Sequence, residues 1–230
     1  MANPEHVAKL KAGVTGWNKW RSDHPELEID LSGANLEDAD LHARDDRTDL
    51  RRVNAANANF TRAKMGGADL SQADLRGACL AHASFFVAIM KGAKLNNAEL
   101  TGTLFHFTDL EGCDFSGATL GMTVFAGFGL KNVSGLETVK HVAPSTIGIG
   151  DIVLSSDIPE TFLVGMGISK EVARYIKSFV VPPTDFHSCF ISYSSKDDAF
   201  ATELHSKLQG RNIRCWFAPE DLKIGDRFQE

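Results

Sequence analysis

Residues 67–80 read GADLSQADLRGACL, in which a small residue, a polar residue and a large apolar residue recur with a fixed five-residue step. Followed outward in both directions, every fifth position from Leu50 to Leu130 is bulky and apolar, except Ala55. Two residues before most of these stands Ala, Thr or Cys, as in Ala68, Ala93, Thr103 and Cys113. The remaining positions are mainly Asn, Asp, Ser, Gly, Lys, Arg and Gln.

A five-residue period does not suit a regular helix. Five steps of about 100° leave successive leucines about 140° apart, spread around the cylinder. It does not suit one continuous strand either, because an odd period sends alternate leucines to opposite faces. A short extended piece does put Ala and Leu on one side, two residues apart. A bend after each piece then restores the direction. Four bends close a square coil of about twenty residues, and stacked coils pair as parallel strands about 4.8 Å apart. The expected fold is mainly β, a right-handed quadrilateral parallel β-helix with a Leu/Phe ladder at its centre and an Ala ladder beside it. In this phase the chain resembles the pentapeptide-repeat family, whose A(D/N)LXX unit is written here many times.

An earlier run, Leu31, Leu36 and Leu41 with Ala34 and Ala39, obeys the same rule out of phase. The break at His42–Asp49 reads as a loop or distorted corner. The two runs amount to about five coils and a rod of roughly 24 Å. The ends of a solenoid need covers. Val7, Leu10, Val14 and Trp17 recur at helical spacing, with Trp20 nearby, so one amphipathic helix from Glu5 to Arg21 is expected as a lid within a capping segment 1–30. Phe105, Phe107, Phe115, Phe125 and Phe128 suggest a broad apolar face at the other end, covered by the next segment or by a second subunit.

The repeat is expected to span 31–130, followed by a connector over 131–185. Two short helices are expected there, one with Pro159 in its opening turn, the other from Lys170 to Phe179 behind Ser169. The GIG and GMG sequences are weak evidence for a phosphate loop without a strand before them. Val180-Val181-Pro182-Pro183 reads as a stiff link.

From 186 to 230 the pattern becomes strand, helix, strand. Ser188–Tyr193 is a short apolar run, Ser195 and Asp198 have capping-box spacing, and Phe200, Ala201, Leu204 and Leu208 fall on one helical face. Gly210 can end that helix, and Ile213–Phe217 is a second strand. This βαβ unit implies a parallel sheet. FISYSSKD followed by RCWFAPEDLKIGDRF resembles the first half of a TIR domain, an incomplete one on this reading. Ile224 stands where receptor-type TIR domains usually carry proline, so the segment is more similar to the bacterial, enzyme-like group.

The resemblance implies a flavodoxin-like α/β fold that either assembles proteins or cleaves NAD at the nicotinamide–ribose bond. It implies Ser194 and Ser195 on the nicotinamide side, and Trp216, Pro219, Asp221 and Gly225 at the mouth of the NAD pocket. It places the ribose-facing glutamate in a later helix beyond Glu230; Glu220 and Glu230 read as solvated. No catalytic residue is therefore assigned within 186–230, which is expected to be marginal in isolation and inactive alone. No bound cofactor is expected, with NAD only as substrate.

Composition narrows the remaining classes. The formal charge of −6 argues against a general nucleic-acid binder. Twelve acids against nine bases over 31–130 is mild for a surface that imitates duplex DNA, which tells against a topoisomerase-protecting role. No window suits a membrane span, and MANPEHVAKLKAGV lacks the apolar core of a secretory signal. Cys79, Cys113, Cys189 and Cys215 form no CxxC pair, so no metal site is expected, and a cytoplasmic location with reduced thiols fits. His187 with Cys189 lacks a third ligand or orienting acid, and His42, His82, His106 and His141 read as surface or loop residues. Expected partners are proteins, including a second copy through the solenoid end or the TIR segment, with neither nucleic acid nor membrane.

Overall fold

The computed structural model describes residues 1–43, 46–155, 158–179, 189–191, 197–209 and 215–217. They form two compact units, Met1–Lys177 and Ser178–Glu230. In the first unit the chain winds into stacked coils. Single-residue parallel bridges recur every five residues and join positions twenty apart: Asp49 with Asp69, Asn54 with Asp74, Asn59 with Cys79, Lys64 with Ser84. These four rows are the four sides of the coil.

The corner that the period demands is a β-turn. The Ala73 amide donates to the Leu70 carbonyl (3.0 Å), and the residue before that alanine, Gln72, has φ of +61°. The same left-handed position returns at Asn57, Arg62, Gly77, His82 and Asn97, with the preceding residue at negative φ, the signature of type II turns. Asp or Asn before the inward residue has a defined task. Asp69 Oδ1 accepts from the Ser71 amide (3.0 Å), and Asp114 does the same for Ser116 (2.9 Å), capping an N–H that lies outside the ladder between coils.

Inside, the central residues are almost all fully buried, and Ala58, Ala63, Ala73 and Ala98 are at zero exposure. Where Thr or Cys replaces Ala, the added polar atom finds the coil below: Thr103 Oγ1 donates to the Leu80 carbonyl (2.8 Å) and Cys113 Sγ to that of Met90 (3.0 Å). Phe85, Phe105 and Phe125 stack along the axis at 5.4 and 5.3 Å between centroids. The phase break at 42–49 is also explained. Asp30, Asn35 and Asp40 pair with Asn54, Asn59 and Lys64, twenty-four residues on, so the first coil carries four extra residues. Thr48 closes it, donating to the Leu41 carbonyl (2.7 Å).

Where one helix was expected at the N-terminus there are two, α1 (Pro4–Lys11) and α2 (Val14–Asp23). Gly13, at φ +124°, breaks the run because its backbone leaves the helical region. Trp17 is fully buried and donates to the Asp49 carbonyl (2.8 Å), while His6 Nδ1 accepts from the Asp30 amide (3.1 Å).

At the far end the coils widen. Three-residue strands β1 (Leu104–His106) and β3 (Val124–Ala126) and two-residue strands β2 (Thr119–Leu120), β4 (Lys140–His141) and β5 (Thr146–Ile147) form two parallel sheets, ordered β1-β3-β5 and β2-β4. Three helices follow rather than two: α3 (Ile149–Leu154), α4 (Glu160–Gly165) and α5 (Lys170–Phe179), the last two residues of α5 belonging to the second unit. Gly148 is the N-cap of α3. Asp151 Oδ1 accepts from the amides of Gly127 and Gly129, and Ser155 Oγ from that of Leu130, which ties α3 to the last regular corner.

Of the five phenylalanines expected at this end, Phe105, Phe115 and Phe125 are buried, and Phe125 meets the buried Phe162 of α4 at 6.4 Å. The next segment therefore covers the core. Phe107 and Phe128 instead occupy corners and face outward. His141 also departs from expectation. Both ring nitrogens are buried without a hydrogen-bond partner, and the ring meets Phe162 edge-on at 5.3 Å.

Leu75→Ala should cost about 2–5 kcal/mol in urea unfolding, and Arg76→Ala, on the exposed side of the same repeat, far less. Gly33 and Gly135 both sit at positive φ, but a Cβ on Gly33 meets open space while one on Gly135 would overlap the Ser116 backbone. Gly33→Ala should therefore cost about 1–2 kcal/mol and Gly135→Ala clearly more. Burial holds the His141 pKa below its ordinary value. The unfolded chain then takes up the proton more readily, so this contribution is intact above the unfolded value, about 6.5, and is lost as pH falls below it. Melting curves at pH 7.5 and 5.5 should show a larger loss in the wild type than in His141→Leu.

Candidate functional site

In the second unit, β6 (Cys189–Ile191) and β7 (Cys215–Phe217) pair in parallel, with Cys189 opposite Cys215, Phe190 opposite Trp216 and Ile191 opposite Phe217. Two parallel strands need a crossover, and α6 (Asp198–Gln209) lies in that connection. It opens with the Ala201 amide donating to the Asp197 carbonyl (2.9 Å). Its buried stripe is Ala201 and His205, one turn apart, with Leu204 and Leu208 half-buried. Phe200, expected on that face, is 68% exposed, because it lies about 100° around the helix from Ala201.

The register sets the geometry that matters for binding. With Ile191 and Phe217 side by side, both strands end at one edge of the sheet. Ligands of α/β sheets bind outside the carboxyl ends of the strands. Trp216 is the central residue of β7. Ser194 and Ser195 follow β6 in the chain, and Pro219, Asp221 and Gly225 follow β7; these five, with His187, Gly210, Glu220 and Glu230, lie outside the described residues.

The first unit offers little catalytic chemistry. Among the described residues no group of three or more His, Cys, Asp and Glu is placed to hold a metal ion. Burial pushes the Cys113 thiol up to about 12, so it stays protonated and serves as a core hydrogen-bond donor. The outward acids are largely matched by bases: Arg62 with Glu37 and Asp38, Arg76 with Asp74, Lys91 with Asp109 and Glu111. A cleft of about 840 Å³ beside α2 is lined by Arg21, Arg51 and Asp49, both arginines pairing with the aspartate. Burial opposes the charge on Asp49, yet hydrogen bonds from the Arg51 side chain and backbone hold its pKa below the ordinary value.

One surface feature escaped sequence reasoning. At the corner that follows Phe85, Phe105 and Phe125, the outward residues Phe86, Phe107 and Phe128 are 48%, 44% and 56% exposed. Phe86 and Phe107 meet edge-on at 6.4 Å, Phe107 and Phe128 at 6.0 Å. The available signal was that Phe86 and Phe107 stand at turn positions where polar residues and glycine are the rule, and that Phe128 stands two before Leu130, in the phase of Ala88 and Thr108, where a ring is too large to turn inward.

Comparison with known proteins bears on both units. The pentapeptide-repeat family model matches eight copies over residues 56–92 and 88–121, and the TIR domain model matches residues 189–230. No curated protein matches the chain. Among solved structures, a pentapeptide repeat protein from the Arabidopsis thaliana thylakoid lumen is 22% identical, over 54% of this chain and 86% of its own, with a TM-score of 0.43. A pentapeptide repeat protein from Nostoc PCC 7120 is 20% identical, over 47% of this chain and 80% of its own, with a TM-score of 0.36. HetL, from Nostoc sp. strain PCC 7120 and involved in heterocyst differentiation regulation, is 25% identical, over 47% of each chain, with a TM-score of 0.22. Among the described residues no helix is long and apolar enough to cross a membrane. The chain thus joins pentapeptide repeats and a TIR domain in one protein.

Proposed function

We propose that this is a signalling or defence protein in which the pentapeptide-repeat rod is the scaffold and the TIR domain binds and hydrolyses NAD at the carboxyl edge of β6 and β7. The observation that carries this reading is the parallel register that ends both strands at one edge, Ile191 beside Phe217, within the segment that matches the TIR model. In this role Ser194 and Ser195 border the nicotinamide, and Trp216, Pro219, Asp221 and Gly225 border the pocket mouth. The chemistry is substitution at the ribose carbon. The bond to the nicotinamide nitrogen breaks, and nicotinamide leaves with the bonding pair. Water adds to the oxocarbenium-like sugar and releases a proton. A carboxylate against the ribose stabilises the developing charge; similarity to the family assigns this to a glutamate of a later helix. The free thiols Cys79 and Cys113 fit a cytoplasmic setting.

A second reading, a non-enzymatic interaction scaffold, is favoured by the outward aromatic corner, which has no use in catalysis. A DNA-imitating role is disfavoured, because the paired acids of the rod leave little unbalanced negative charge.

Nicotinamide release by the full-length protein separates the first two readings. Hydrolysis is expected, and replacing the ribose-facing glutamate by alanine should lower the rate by about 100-fold or more. Absence of release at high protein concentration, with the protein folded, rejects the enzyme and leaves the scaffold.

A further inference from the structure

We propose that the aromatic corner of the rod pairs with the same corner of a second copy, in a two-fold arrangement centred near Phe107. The inference concerns the first unit alone and does not depend on NAD hydrolysis.

The backbone makes the first argument. Every corner needs a residue at left-handed φ, a conformation that suits Gly and Asn and opposes β-branched or bulky side chains. On this edge of the rod Gly67 occupies it in one coil, at φ +72°. The next two coils place Val87 there at φ +58° and Phe107 at φ +52°. Strain of this kind persists where the side chain has a use. Neither side chain enters the core, since Val87 is 39% and Phe107 44% exposed.

Area is the second argument. Phe86, Val87, Leu104, Phe107, Phe128 and Leu154 are all outward-facing and between 39% and 61% exposed. Leu154 extends the row, because its Cβ lies 3.2 Å from where a Cβ on Gly129 would stand. At ~200 Å² for a large side chain, the six expose roughly 600 Å², the upper end of what a monomer leaves open without a partner. A standard interface needs about 800 Å² per partner, so this surface suits a weak dimer with a modest polar rim. Arg47, at the end of the row, donates to the carbonyls of Gly67 and Val87 and is placed to join that rim.

The form of the row selects the occupant. Phe86, Phe107 and Phe128 advance one per coil at 6.4 and 6.0 Å, so the row looks nearly the same when reversed. A two-fold axis at Phe107 sets Phe86 of one copy against Phe128 of the other, the self-complementary match of an isologous contact. The ridge is convex, and the hollow beside it, lined by His42, Arg47 and Phe86 among others, is only about 270 Å³, which is small for a peptide anchor.

Sedimentation velocity of the full chain from 1 to 300 µM tests the proposal, with dimerisation expected at roughly 1–100 µM. The paired substitution Val87→Asn and Phe107→Asn should weaken association at least tenfold while leaving the melting temperature unchanged or higher, because Asn accepts the left-handed backbone. Phe128→Ser, away from those turn positions, should weaken association independently. A wild-type chain that stays monomeric throughout overturns the proposal and leaves the ridge to a different protein. So does association that persists in both variants, which would place the contact elsewhere. A lowered melting temperature with unchanged association would show that Val87 and Phe107 serve only the fold.

Discussion

The rod depends on one backbone constraint, a left-handed residue at every fifth position. That residue turns each corner and brings the next Ala-x-Leu piece back to a common axis. The rest of the repeat follows from it. The turn leaves one N–H outside the ladder between coils, and Asp or Asn before the leucine is the shortest side chain that reaches it, as Asp69 and Asp114 do. Two neighbouring sides meet at each corner with little room, so the position after the turn is mostly Ala, or a Thr or Cys whose polar atom bonds to the coil below, and Phe128 at that position is turned outward.

Stacking of this kind gives each coil only its neighbours to lean on, so both ends must be finished by groups outside the repeat. At the start, Trp17 and His6 bond to Asp49 and Asp30 on the first coil. At the finish, Asp151 and Ser155 take up the amides of Gly127, Gly129 and Leu130. Both closures use specific polar contacts around an apolar plug, Trp17 at one end and Phe162 at the other. The His141 ring is the flaw in the second closure: it fills space against Phe162 without satisfying its nitrogens.

What could be read in advance divides along the same lines. The period of five specified the coil, its inward residues and the position of the phase break, because each depends on local repetition. The closures were less legible. Leu10 and Trp17 announced a lid, but Gly13 as a break between two helices became visible only with its φ of +124°. Nothing in the sequence sets Asp151 apart, since its task depends on two glycine amides more than twenty residues away. In the second unit, alternation and spacing were enough to foresee parallel β6 and β7 around α6. They could not foresee that His205 rather than Phe200 would turn inward, since both lie near the edge of the same helical stripe.

The two units therefore carry function in different ways. In a βαβ unit the strands set an edge and the connecting segments supply the chemistry, so residue choice after β6 and β7 is free of the sheet's own requirements. A five-residue solenoid has no such freedom, since every position already answers to burial, to the turn or to the N–H cap. Function on its surface has to appear as a departure from the repeat that the backbone tolerates at a cost. Val87 and Phe107 are departures of that kind. They place a β-branched and an aromatic side chain at a turn position that elsewhere holds Gly or mostly polar residues, and they do so in successive coils on one edge. A single misfit would be an accident of sequence; two in register, continued by Phe128, make a row whose spacing the coil itself dictates.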